Sequence, residues 1–134
     1  MLHIEHIGIA VKSLETAVPL FEKLLNTPCY KTETVSGEQV HTAFFKTGIN
    51  KIELLESTSE DGVIQKFIEK KGEGIHHIAF AVENIQEEMK RLQDAGFRLL
   101  NEIPKQGADH KLVCFLHPKD SSGVLIELCQ DRND

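Results

Sequence analysis

The chain has 134 residues, 40% of them hydrophobic and 27% charged, the length and balance of one compact domain that buries about two-thirds of its unfolded surface without needing a disulfide. Its formal net charge of −6 argues against non-specific nucleic-acid binding, which needs a basic face, while leaving room for an anionic small molecule held by a few local lysines. The three cysteines, Cys29, Cys114 and Cys129, are odd in number and lack C-x-x-C spacing, so they read as reduced thiols of a cytosolic protein.

The opening segment MLHIEHIGIAV lacks a basic n-region and carries Glu5 inside its apolar run, which argues against a signal peptide. No transit peptide is evident, and no stretch approaches the ~18 consecutive apolar residues of a membrane span. A cytoplasmic protein with no membrane contact is expected.

The first strand opens on His6-Ile7-Gly8-Ile9-Ala10-Val11. A helix follows, with Leu14, Ala17, Val18, Phe21, Leu24 and Leu25 at helical spacing and Ser13 in the N-cap position. Three β-type runs come next, Tyr30 to Val35, Gln39 to Thr47 and Lys51 to Glu56, separated by turn signals at Ser36-Gly37 and Gly48-Ile49-Asn50. The polar linker of residues 57 to 74 carries a short helix around Val63 to Glu69.

The pattern then repeats. His77-Ile78-Ala79-Phe80-Ala81-Val82 opens a strand, and Ile85, Met89, Leu92 and Ala95 mark a helix. Asn84 and Glu87 have capping-box spacing, and Gly96 stands at C′. Strands are predicted at Phe97 to Asn101, Lys111 to His117 and Val124 to Cys129, the last two parted by Ser121-Ser122-Gly123. The reading is a single α+β domain over residues 1–134, built of two tandem β-α-β-β-β modules, about 1–56 and 74–131, that form a curved mixed sheet around a central metal site.

The repeat carries a second matched pair, Lys51-Ile52-Glu53-Leu54-Leu55 against Leu125-Ile126-Glu127-Leu128-Cys129. The histidines are offset by 71 residues (6 to 77) and the glutamates by 74 (53 to 127). Superposing the halves therefore places His on His and Glu on Glu. Alone, such a glutamate reads as a solvent-facing strand residue and such a histidine as a hydrogen-bonded strand end. A carboxylate between Ile and Leu on a strand is costly when buried without a partner, and its duplication points to a shared cation. Two imidazoles and two carboxylates suit Co²⁺, Mn²⁺, Zn²⁺, Ni²⁺ or Fe²⁺ without choosing among them. His76 points away from its neighbour His77 and is read as outside this set.

The paired modules, each with a His on its first strand and a Glu on its last, resemble the vicinal-oxygen-chelate superfamily, whose members include glyoxalase I, extradiol dioxygenases and methylmalonyl-CoA epimerases. The resemblance spans about His6 to Cys129. Gly72-Glu73-Gly74-Ile75-His76-His77-Ile78, Lys51-Ile52-Glu53-Leu54-Leu55-Glu56 and Phe115-Leu116-His117-Pro118-Lys119 followed by Gly123-Val124-Leu125-Ile126-Glu127-Leu128 resemble the epimerase family in order and spacing.

That resemblance implies His6, Glu53, His77 and Glu127 as ligands of a divalent metal, cobalt first, with Mn²⁺, Zn²⁺ or Ni²⁺ as alternatives. It implies methylmalonyl-CoA as substrate, inversion at C2 through an enolate, and a homodimer. Glu127 is expected to carry one proton. Certain bacterial epimerases hold a second proton-transfer glutamate on the second strand of the first module; the residues near that place are Glu38, Gln39, Val40, His41 and Thr42, and Glu38 is the nearest carboxylate. The His117-Pro118-Lys119 segment reads either as a CoA-phosphate contact or as a surface loop. The alternatives are a glyoxalase-I-type lactoylglutathione lyase and a metal-free binding protein of the same superfamily.

Overall fold

The computed structural model describes residues 1–133. Contacts divide the chain into two compact units. One is His6–His76; the other combines Met1–Glu5 with the chain from His77 onward.

In the His6–His76 unit the strands are β1 (His3–Ala10, of which His6 onward belongs here), β2 (Lys31–Val35), β3 (Val40–Thr47) and β4 (Asn50–Ser57), in the order β2-β3-β4-β1. Strand β1 runs parallel to β4, and the other pairs are antiparallel. Helix α1 (Leu14–Leu25) packs on one face, where Ala17, Val18 and Phe21 meet Ala43, Phe45 and Leu54. Helix α2 (Val63–Lys71) packs Ile64, Phe67 and Ile68 against Ala10, Val40 and Leu55. Those three strand residues share a face with His6 and Glu53 by strand alternation, so α2 covers one end of the face that carries the candidate ligands.

The other unit repeats the order with β5 (Gly74–Ala81, here from His77), α3 (Ile85–Asp94), β6 (Lys105–Gln106), β7 (Lys111–Leu116) and β8 (Ile126–Asp131), arranged β5-β8-β7-β6. Strand β5 is parallel to β8, as β1 is to β4. The apolar stripe of α3, Ile85, Met89 and Leu92, packs on Cys114, Leu116 and Leu128.

Helix ends follow local chemistry. Asn84 Oδ1 accepts from Glu87 N–H at 3.0 Å, and Gly96 holds φ +99° just past α3, a conformation that costs other residues a Cβ clash. Ser13 occupies the N-cap position of α1 but its side chain makes no cap bond. The carboxylate of Glu56, on β4, accepts from Leu14 N–H instead, at 2.6 Å.

Two expectations need correction. Residues 97 to 101 are not a strand. Only an isolated bridge joins Leu99 to Leu116, because Phe97 and Leu99 turn into the α3 core and the Asn101 side chain takes over the ladder. Its Oδ1 accepts from Phe115 N–H at 3.1 Å, and its Nδ2 donates to Val113 O at 3.4 Å and to Ile103 O at 2.8 Å. The third strand of this unit is the two-residue β6. His6 and His77 also do not open their strands: each is the fourth residue of its strand.

Candidate metal centre

The candidate ligands sit in the same ladder position in both units. Glu53 on β4 is paired with Gly8, two residues beyond His6, and Glu127 on β8 with Ala79, two residues beyond His77. On the other side of each glutamate stands a phenylalanine, Phe44 opposite Glu53 and Phe115 opposite Glu127. Residues two apart on a strand face the same way, so each His and its Glu share a face.

His6 Nε2 lies 3.3 Å from Glu53 Oε1, and His77 Nε2 lies 3.1 Å from Glu127 Oε1. All four residues are buried, with relative exposures of 3–5%. A buried carboxylate facing a buried imidazole is costly unless each satisfies the other or both bind a cation. Two donor atoms held about 2.1 Å from one divalent ion at right angles lie about 3 Å apart. The observed separations fit such a pair of adjacent ligands, and the imidazole and carboxylate donors fit a borderline divalent metal.

The surroundings repeat too. Phe44 is buried, and the Phe115 ring meets His77 edge-on at 5.8 Å. Lys31 Nζ stands 6.0 Å from the Phe44 ring centre and Lys105 Nζ 5.4 Å from that of Phe115. Each His–Glu pair therefore has an aromatic wall with a lysine ammonium over it, and the ring face attracts that ammonium. Three residues beyond each glutamate a side-chain oxygen caps a helix: Glu56 binds Leu14 N–H, and Gln130 Oε1 binds Ile85 N–H at 2.7 Å. Each last strand thus carries a candidate ligand on one face and, on the other, a group that fixes the helix packed there.

Other expected residues lie elsewhere. His76 packs edge-on against Phe67, with ring centres 5.0 Å apart. Glu38 sits in the turn Ser36–Glu38, beyond Val40, which pairs with Ser57. Val40 is four residues from Phe44, the partner of Glu53, about 14 Å along an extended strand, and it lies under α2. The structure therefore does not bring Glu38 alongside Glu53. His117 Nδ1 accepts from Lys119 N–H at 3.1 Å within the turn Pro118–Ser121. Asp120 of that turn binds Arg98 through its backbone N–H at 2.8 Å and its guanidinium at 2.8 and 3.0 Å.

Residues 5–115 match the Glyoxalase/Bleomycin resistance protein/Dioxygenase superfamily. The chain belongs to that superfamily. Among its relatives, the uncharacterized protein YqjC of Bacillus subtilis is 40% identical over all of this chain and 96% of its own length. The ethylmalonyl-CoA/methylmalonyl-CoA epimerase of Cereibacter sphaeroides is 40% identical, covering 95% of this chain and 96% of that protein. A Streptomyces coelicolor methylmalonyl-CoA epimerase variant, solved in complex with 2-nitronate-propionyl-CoA, superposes with a TM-score of 0.95 at 34% identity, covering 99% of this chain and 96% of that one. The α+β fold, with its β-α-β-β-β order in each unit, is the glyoxalase-type fold.

The aromatic walls and their lysines were not evident from sequence, because the pairing that sets Phe44 against Glu53 depends on strand register. The helix-capping pair had a legible signal, since Glu56 and Gln130 each follow a candidate ligand by three residues.

Proposed function

We propose that this protein is a metal-dependent methylmalonyl-CoA epimerase in which His6, Glu53, His77 and Glu127 hold one divalent metal, with cobalt the first candidate. The observation that carries this reading is the duplicated His–Glu pair, buried in the same register in both units. The names of its full-length relatives supply the substrate class. A shared metal makes both units one functional domain of residues 1–134. A homodimer and a cytoplasmic location rest on the family resemblance and on the sequence; among the described residues, no helix is long and apolar enough to cross a membrane.

The C2 proton of methylmalonyl-CoA lies between a thioester carbonyl and a carboxylate, so its removal leaves negative charge on the thioester oxygen. A bound divalent metal supplies Lewis-acid stabilisation where that charge develops, worth several kcal/mol of barrier. His6 and His77 offer neutral nitrogen donors, and Glu53 and Glu127 offset the metal's charge. Together these four side chains would hold the ion, and it would act as a Lewis acid toward the substrate oxygens. Phe44 and Phe115 exclude water from the glutamates they flank, which strengthens electrostatic interactions there. Glu127 carries the C2 proton on one face of the substrate, and inversion needs a second group on the other.

The C. sphaeroides relative is named for ethylmalonyl-CoA as well, so the longer acyl chain belongs in the same assay. The test starts from one epimer of each substrate and follows appearance of the other. Chelated protein should be inactive and Co²⁺ should restore it. Full activity in metal-free protein would remove the metal from the account, and turnover of glutathione hemithioacetals in its place would favour the lyase alternative.

A further inference from the structure

We infer that Lys111 is a positioning residue for the ligand His6, acting through Glu5, an inference that rests on the reading of His6 as a metal ligand. Outside the four candidate ligands, the buried polar side chains among the described residues belong to Thr42, Glu5 and Lys111. Glu5 and Lys111 are 6% and 8% exposed. Lys111 Nζ lies 3.9 Å from Glu5 Oε2 and also meets the Asp131 carboxylate. A buried charge persists only with a partner, so the ammonium and the Glu5 carboxylate fix each other. The chemistry at C2 uses neither.

Both crossings of the chain between the compact units fall on the peptide bond before a ligand histidine. Glu5 ends the first segment of one unit and His6 opens the other; His76 ends that unit and His77 resumes the first. The residue before each ligand is therefore held by one unit while the ligand itself belongs to the other. His76 is held by the Phe67 ring of α2, edge-on at 5.0 Å. Glu5 is held by Lys111 of β7. Adjacent Cα atoms are a fixed ~3.8 Å apart, so a displaced Glu5 carries His6 with it. A metal site tolerates ligand displacements of only about 0.2 Å.

Strand register shows why the anchor is ionic in one unit and apolar in the other. Val40 pairs with Ser57, four residues beyond Glu53, and Lys111 pairs with Asp131, four residues beyond Glu127. The two occupy the same place on the ligand faces of their units. Val40 packs under α2 beside Ile64. In the other unit α3 is the one α-helix among the described residues, and it packs on Cys114, Leu116 and Leu128 of the opposite face. With no helix there to bury an apolar side chain, the position carries an ammonium whose carboxylate partner adjoins His6. A lysine placed only to keep this end of the sheet soluble would be exposed, and Lys111 is buried.

The test measures the Co²⁺ dissociation constant of chelator-stripped protein by competition with a chromogenic chelator, with circular dichroism as the check of folding. Lys111→Met should weaken Co²⁺ binding roughly 10–100-fold, the usual effect of removing a group that orients a metal ligand, and Lys111→Arg should recover most of the loss. In a His6→Ala background, which already lacks that donor, Lys111→Met should weaken binding no further. A purely structural lysine would lower the denaturation midpoint and leave the dissociation constant of the folded protein unchanged, and that result would overturn the inference. So would an equal loss in both backgrounds. If Lys111→Met strands the Glu5 charge and does not fold, Glu5→Gln/Lys111→Met removes both charges and takes its place in the cycle, with the same losses expected. A wild type that binds no Co²⁺ would overturn the metal reading and the inference together, whereas normal binding by wild type confines any failure to the inference.

Discussion

Gln130 Oε1 accepts a hydrogen bond from the backbone N–H of Ile85, the first residue of α3, at 2.7 Å. Glu56 does the same for Leu14 at the start of α1. The first N–H groups of a helix have no partner within it, and here a neighbouring strand provides one. Gln130→Leu and Glu56→Leu should each destabilise the fold by about 1 kcal/mol, the usual cost of losing an N-terminal cap. Glu56→Gln, which keeps an acceptor oxygen, should cost little. Chemical denaturation midpoints at unchanged slope check this, and a Glu56→Leu protein as stable as wild type would show that water replaces the bond without cost.

Asp120 is held by Arg98 through side-chain and backbone bonds, which pull its carboxyl down from 3.8 to about 2. Because the folded value lies below the unfolded one, the contact stabilises above about pH 4 and its contribution disappears as pH falls toward 2. The pair is exposed, so the effect is small and screened by salt. The stability difference between wild type and Asp120→Asn should shrink over that window. A difference that stays constant from pH 5 to pH 2 would mean that the contact contributes nothing.

Burial pushes the Cys114 thiol up to about 11, against smaller lowering by its hydrogen bond to the Asn101 backbone and by the Lys105 ammonium. At pH 8 about one part in a thousand is thiolate, the reactive form. Half-buried Cys29 should therefore be alkylated well before Cys114 in the native protein, and Cys114 only on unfolding. Peptide mass mapping after brief alkylation distinguishes the two. Rapid native labelling of Cys114 would indicate that the α3 core opens readily.

Much of this architecture was legible in the sequence because it is written twice. The two strands that carry His6 and His77, the two apolar helical stripes and the two Ile-Glu-Leu segments each fix an element by local periodicity, and the helix near Val63 appears as α2. Asn84 and Gly96 cap α3 as their residue types require. What failed depended on partners distant in sequence. Apolar alternation at 97–101 resembles a strand, but Phe97 and Leu99 serve the α3 core and Asn101 substitutes its amide for backbone. The strands also begin three residues before His6 and His77, since extended structure continues for as long as pairing does, with no residue type marking its start.

The ligand set makes its own prediction. Glu127→Ala and His77→Ala should each lower metal content, because each removes one of the four proposed donors. Their metal-to-protein ratio after loading with Co²⁺ and desalting, measured by elemental analysis, should fall well below that of wild type. Undiminished metal in both variants would place the ion elsewhere.

The central claim is most directly tested by deuterium exchange at C2 of methylmalonyl-CoA in D₂O, using protein stripped with a chelator and reloaded with Co²⁺. The account predicts metal-dependent exchange accompanied by inversion of configuration, and its loss in Glu127→Ala. Stoichiometric metal binding without exchange at C2 would contradict the epimerase reading while leaving the duplicated His–Glu centre in place.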